Sequence, residues 1–326
     1  MPKKIIRGFT LVELLVVISI IGLLAGLMLP AINSAREQGR RASCINNQRN
    51  IALAFTMFEQ NKGKYPQFRV HTAPRTDNSQ TIASFNNQTD EPGDGTYLSE
   101  IGWAPQLFPY VEQVQLWDEI NKYGYNKNCE VTLELFLCKS AGSTDLSACN
   151  YVGNCGTADV QEGVIDQTSA YGLLTDGIGY GNVKGKKISN DDVKDGLSNT
   201  LAFSETIQTF NDLERSVEQS DIRGGVYRGD AAFFSCYYEP NSEYPDEVMS
   251  PGYCHSPDKV VTLGAPCVVE TSSRGSWEVR MSARSRHAGG VNAALGDGSV
   301  KYFNDSVERK VWRALSTASG GETVAF

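Results

Sequence analysis

From Leu11 to Leu29 the chain is an apolar run interrupted only by Glu13, Ser19, Gly22 and Gly26. At about 1.5 Å per helical residue it reaches roughly 28 Å, close to the hydrocarbon thickness of a bilayer. Two ordinary readings compete for such a segment. A secretory signal has an apolar region of about 7–15 residues followed by a small-x-small cleavage site. This run is longer, and its helical patterning continues through Ala31–Arg41 into Cys44–Glu59. A plain membrane anchor fits the length but leaves Glu13 unexplained, because a carboxylate inside an apolar run costs about 2.5–3.5 kcal/mol on insertion scales. Lys3, Lys4 and Arg7 precede the run and place its N-terminal end on the cytoplasmic side.

The helix is expected from about Thr10 to Gln60, with Pro30 kinking or locally melting it. Ile32, Ala35, Cys44, Ile45, Ile51, Leu53, Phe55 and Phe58 form the apolar side of its second half, laid on a globular head. Gly63 and Pro66 mark the exit. Gly22 and Gly26 form a Gly-x-x-x-Gly pair, which permits close helix approach or arises by chance in a glycine-tolerant membrane helix.

Gly8-Phe9-Thr10-Leu11-Val12-Glu13 resembles the type IV prepilin cleavage and methylation motif. The resemblance implies cleavage after Gly8 by a prepilin peptidase and methylation of the new amine at Phe9. Glu13 then stands at the fifth position of the mature chain, where the family carries a glutamate, and Pro30 at a typical proline position. The implied role of Glu13 is assembly: the amine freed four residues away meets its charge, within one helix or between neighbouring subunits. Loss of residues 1–8, with Lys3, Lys4 and Arg7, takes the formal charge from −8 to −11. That acidity, with no basic run elsewhere, argues against a nucleic-acid partner.

The rest, 63–326, reads as one α+β head, a domain of ordinary size. Residues 67–100 are polar and loop-like. Tyr110–Asn121 is expected to be a short helix and Leu133–Cys138 a buried strand. After it, apolar runs alternate with glycine-rich turns at Tyr151–Gly156, Ser169–Leu174, Thr200–Glu205, Gly225–Arg228, Ala231–Tyr238, Val260–Leu263 and Cys267–Glu270. That spacing predicts an antiparallel sheet. Asp297-Gly298, between Val291–Leu295 and Ser299–Phe303, predicts a hairpin with a tight two-residue turn. A last helix is expected over Ser306–Leu315, with Val307, Val311, Trp312 and Leu315 on one face.

Eight cysteines and three histidines are present. No two cysteines are spaced Cys-x-x-Cys, which removes zinc-ribbon and thioredoxin-type motifs. The even count in an exported chain favours disulfides over buried thiols, with connectivity open. Cys44-Ile-Asn-Asn47, Phe108-Pro-Tyr-Val-Glu-Gln113, Phe136-Leu-Cys138, Asp195-Gly-Leu-Ser-Asn-Thr200 and the ending His287-x9-Asp297-Gly298 resemble a large bacterial family of prepilin-like proteins whose head has no assigned function. Lys139-Ser140 departs from that family's usual proline-serine. Cys44 and Cys138 lie in matched segments, so the resemblance implies a disulfide between them.

His287 and Asp297 are poor candidates for an acid–base pair, since an extended segment separates them by up to roughly 33 Å. Asn190, Asp191, Asp192, Asp195 and Asn199 crowd one loop. Asp191, Asp192 and Asp195 are candidate calcium ligands, although the spacing is not that of an EF-hand and turn chemistry explains the same composition. No other cofactor is expected. Hydrolase, Walker-type, zincin and dinucleotide motifs are missing, so an enzyme is not expected. The expectation is a pilin-like structural subunit of a type IV pilus or type II secretion pseudopilus. It would be single-pass in the bacterial inner membrane with its head periplasmic or extracellular, and its partners would be the peptidase, the membrane and other subunits. The alternative is a membrane-tethered module that binds glycan or protein and never polymerises.

Overall fold

The structure, a computed structural model, describes residues 11–68, 70–75, 97–123, 131–141, 149–157, 172–175, 187–208, 223–225, 233–248, 254, 264–269 and 280–322. Gly8 and Phe9 lie outside them.

Helix α1, Leu11–Lys62, has 52 residues. At 1.5 Å per residue it is about 78 Å long. It continues without a break through Pro30, so the expected local melting does not occur. A proline removes one N–H and crowds the carbonyl four residues back, which can bend a helix without ending it. Leu11 to Leu29 stand clear of the head with their side chains exposed.

From Cys44 onward one stripe turns inward. Cys44, Gln48, Ile51, Phe55 and Phe58 are buried at alternating steps of four and three, the repeat of one helix face. Leu53 does not share it. Two residues from Ile51 it is rotated by about 200° and is 61 % exposed. Ile32 also faces outward. The helix ends at Gly63, whose N–H donates to the Glu59 carbonyl at 2.7 Å and whose φ is +65°. Such a left-handed cap suits glycine.

Strands β1 (Val70–Arg75) and β2 (Tyr97–Ile101) pair antiparallel. The turn α2 (Trp103–Gln106) places Trp103 in the core. The expected helix over Tyr110–Asn121 begins later, as α3 (Val114–Tyr123), because Phe108–Tyr110 forms a 3-10 turn and Glu112 takes a φ of 62°. Leu133–Cys138 is not a strand. Glu134–Phe136 is a 3-10 turn whose neighbouring carbonyls are already engaged: Asn47 Nδ2 donates to those of Glu134 and Leu137, and Asn150 N–H to that of Phe136.

The main sheet contains β3 (Tyr151–Asn154), β4 (Leu201–Glu205), β5 (Phe233–Phe234), β8 (Gly290–Leu295) and β9 (Val300–Asn304), in the order β5-β3-β4-β8-β9. It is mixed rather than purely antiparallel, since β5 runs parallel to β3. A second parallel pair joins β6 (Asp246–Val248) to β7 (Cys267–Val269). The expected run Val260–Leu263, half of Ser169–Leu174 and most of Gly225–Arg228 fall outside the described residues.

Both faces of the sheet are covered, so β4 and β8 are buried at every position. Phe203 and Ala294 pack with Ile51, Phe55 and Trp103 under α1. Val291, Ala293 and Leu295 pack on the other face with Trp312 and Leu315 of the last helix, α4 (Arg309–Ala314). Side chains two apart on a strand share a face. Asn292 therefore lies on the α1 side with Ala294, and Glu205 with Phe203.

The β8–β9 connection differs from the tight turn expected. Gly298 N–H donates to the Leu295 carbonyl at 2.9 Å, and Leu295 N–H to Ser299 at 2.8 Å. Only Gly298 takes a positive φ, +84°. The loop is a four-residue turn closed by a left-handed glycine.

Candidate functional site

His287 is buried just ahead of β8, where three chain segments and α1 converge. Its Nδ1 lies 2.8 Å from Glu37 Oε1 on α1. Its Nε2 lies 3.3 Å from Glu205 Oε1 at the end of β4, and 3.5 Å from Cys138 Sγ. Cys138 is disulfide-bonded to Cys44 of α1, with Cα atoms 5.2 Å apart.

Each carboxylate has further donors. Asn292 presents its backbone N–H to Glu205 Oε2 and its side-chain amide to Oε1, both at 2.9 Å. Ser140 Oγ donates to Glu37 Oε1 at 2.8 Å and Arg40 Nε to Oε2 at 2.9 Å. Arg41 stacks over Tyr302 at 3.8 Å and donates to Asn292 Oδ1 at 3.4 Å. Gln48 Nε2 donates to the Asn292 carbonyl at 3.1 Å.

Burial works against a charged imidazole at His287, but Glu205 and Glu37 outweigh it and raise the pKa above the ordinary value. Burial likewise opposes ionisation of Glu37, and the donors His287, Ser140 and Arg40 hold its carboxyl below the usual range. The imidazole of His287, held between two carboxylates beside a disulfide, fastens α1 to the head. The same set of donors (two sulfurs, an imidazole nitrogen and a carboxylate oxygen) lies within 4.8 Å.

Cys44 and Cys138 are joined, as the resemblance implies. His287 and Asp297 are not brought together by their hydrogen bonds: Asp297 Oδ1 accepts from Ser299 N–H and Oγ at 2.9 and 2.6 Å within the hairpin turn. Two of the three candidate calcium carboxylates accept from protein donors. Asp192 Oδ2 accepts from the N–H and hydroxyl of Ser189 at 2.9 and 2.8 Å. Asp195 accepts from the N–H groups of Gly320 and Gly321 at 2.7 and 2.9 Å, clasping the C-terminal segment. Asp191 accepts Lys194 Nζ at its backbone carbonyl.

Glu37, Glu205 and Asn292 were not legible as site residues. One sign was available: Glu37 and Cys44 are seven apart, two helical turns on one face. A second disulfide, Cys254–Cys267, was likewise unread.

A family model described as the prokaryotic N-terminal methylation motif matches residues 3–29. Another, described as a protein of unknown function (DUF1559), matches residues 33–310. The chain belongs to the DUF1559 family. All of the His287 cluster lies within the matched stretch. The type II secretion system core protein G of Pectobacterium carotovorum subsp. carotovorum is 35 % identical over 60 residues, 18 % of this chain and 38 % of that protein. The protein of the same description from Klebsiella pneumoniae is 35 % identical over 60 residues, 43 % of its length. The chain thus spans about two-fifths of these relatives. No solved structure matches it.

Proposed function

We propose that this DUF1559 chain is a pilin-like structural subunit rather than an enzyme. It is processed between Gly8 and Phe9, methylated at Phe9, and assembled through α1 into a pilus- or pseudopilus-like filament. The observation that carries the reading is the division of one continuous helix. Leu11–Leu29 is apolar and fully outward-facing, while Cys44–Phe58 is seated in the head. The methylation motif on that helix and the likeness to type II secretion core protein G support the same reading. The basic residues before the helix favour a head on the periplasmic side.

Glu13 sets axial register in this reading, because its charge in lipid is met by the amine of a neighbouring Phe9. N-terminal mass analysis of the native protein should find methyl-Phe9; an intact Met1 or a cut elsewhere overturns the processing. Glu13→Ala should abolish filaments while leaving monomer in the membrane. A tethered binding head is the second reading, favoured by Tyr244, 56 % exposed and stacked on Tyr238 at 4.8 Å in the manner of a sugar platform. It gains if Glu13→Ala changes nothing and the head retains a glycan.

A further inference from the structure

The missing Cys-x-x-Cys spacing excludes only local metal motifs. Folding brings donors together from four separate segments: α1, the loop after the 3-10 turn, the end of β4 and the approach to β8. We propose that reduction of the Cys44–Cys138 disulfide turns this cluster into a zinc-class metal site, held by both thiolates, His287 Nε2 and Glu205 Oε1.

The distances support the assignment. With zinc bonds of about 2.3 Å to sulfur and 2.0–2.1 Å to nitrogen or oxygen, tetrahedral edges are about 3.6 Å for S···N and about 3.4 Å for N···O. The corresponding separations are 3.5 Å for Cys138 Sγ to His287 Nε2 and 3.3 Å for His287 Nε2 to Glu205 Oε1. All four donor atoms lie within 4.8 Å of one another and all four residues are buried. The remaining adjustment is at the sulfurs, which must part from a bonded spacing of about 2.0 Å to about 3.8 Å. Breaking their bond permits that.

The surrounding groups are those a zinc site uses. Glu37 engages His287 Nδ1, which fixes the tautomer and directs the Nε2 lone pair toward the sulfurs. A carboxylate behind a ligating histidine is the usual outer support of such a ligand. Asn292 holds Glu205 by two bonds and leaves Oε1 facing His287. The donor set, two soft thiolates with an imidazole and one carboxylate, suits zinc over calcium or magnesium.

The chemistry balances. A dithiol reductant delivers two electrons and two protons to the S–S bond, giving two thiols, and closes to its own disulfide. The incoming dication then displaces both thiol protons, and any proton on His287 Nε2, to solvent. One cross-link between α1 and the head is exchanged for another, now tied to β4 and His287 as well.

The test uses the full chain in detergent, reduced with a trialkylphosphine, which becomes the phosphine oxide by taking oxygen from water. Zinc chloride is then added. The reduced chain should retain about one zinc after desalting and the oxidised chain none. In the unmodified chain, alkylation of Cys44 and Cys138, mapped by peptide mass, should slow about tenfold or more with zinc and recover with a chelator. Glu37→Gln, on the half-exposed flank of α1, should weaken zinc binding by about 10–100-fold. Equal alkylation of Cys44 and Cys138 with and without zinc overturns the proposal. So does zinc uptake indifferent to both Glu37→Gln and Cys138→Ser, which would place the ion on other cysteines.

Discussion

His287 Nδ1 and Glu37 Oε1 meet at 2.8 Å across 250 residues of chain, tying the end of the head to the middle of the long helix. Glu37 is partly exposed and His287 is not. Removing each partner therefore has a different cost. His287→Ala leaves Glu205 buried without its imidazole partner, and should destabilise the head by about 3–5 kcal/mol. Glu37→Gln keeps an acceptor and some water, and should cost about 1 kcal/mol. Urea unfolding of the detergent-solubilised chain, followed by the fluorescence of buried Trp103 and Trp312, reads both. Equal losses would refute the asymmetry.

The Cys44–Cys138 disulfide closes a sequence separation of 94 residues. Replacing both by serine should cost about 2–4 kcal/mol, chiefly by freeing the unfolded chain. Cys149 and Cys236 are buried thiols of a different kind. Burial pushes Cys149 up to about 12, and Cys236 well above its ordinary value. The thiolate is the reactive form. An alkylating agent at pH 8 should therefore leave both unmodified in the native chain and modify both after denaturation, with no reductant present. Labelling of the native protein at either would contradict the burial.

How much of this was legible depends on the range of the interaction. The α1 stripe from Cys44 to Phe58 was readable because the helix repeat is local, and even then Leu53 was misplaced for want of a strict phase. Leu133–Cys138 was misread because a short apolar run looks alike as strand or turn until its carbonyls find partners. In this chain Asn47 and Asn150 take them. Glu205 could not be found at all. Its place beside His287 follows from strand pleat and from the β4–β8 register, which shifts between Leu201 and Phe203. No local pattern encodes that pairing.

Gly290 opens β8 directly against β9. A Cβ there would collide with the carbonyl oxygen of Phe303, which is backbone and cannot swing aside. Gly290→Ala should cost about 1–3 kcal/mol or more and loosen the strand that carries Asn292. Gly298→Ala, at a φ of +84° but with open space around it, carries only the left-handed conformational penalty of about 1 kcal/mol. The ranking, Gly290 worse than Gly298, is checked by thermal melts of the two variants; the reverse order would show that the β8–β9 approach is not tight.

Asp246 should make the head sensitive to acid. It is buried between Arg223 Nη1 at 2.7 Å and Arg284 Nη2 at 2.8 Å, and accepts the Ser282 N–H at 3.0 Å. Burial alone would raise its pKa, but Arg284 and Arg223 outweigh that and hold the carboxyl below its ordinary value. A carboxylate whose folded pKa is depressed contributes stability that is fully present above the unfolded value of about 3.9 and is lost as pH falls through the folded one. Asp246→Asn leaves two buried guanidinium groups short of an anion and should cost about 3–5 kcal/mol at pH 7. The gap between the native chain and the variant should stay constant down to about pH 5 and narrow below about pH 4, as protonation removes from the native chain what the variant already lacks. Urea midpoints measured from pH 7 to pH 3 decide this. A gap that widens on acidification would mean that Asp246 is not ionised in the folded head, and that the two arginines are balanced by something else.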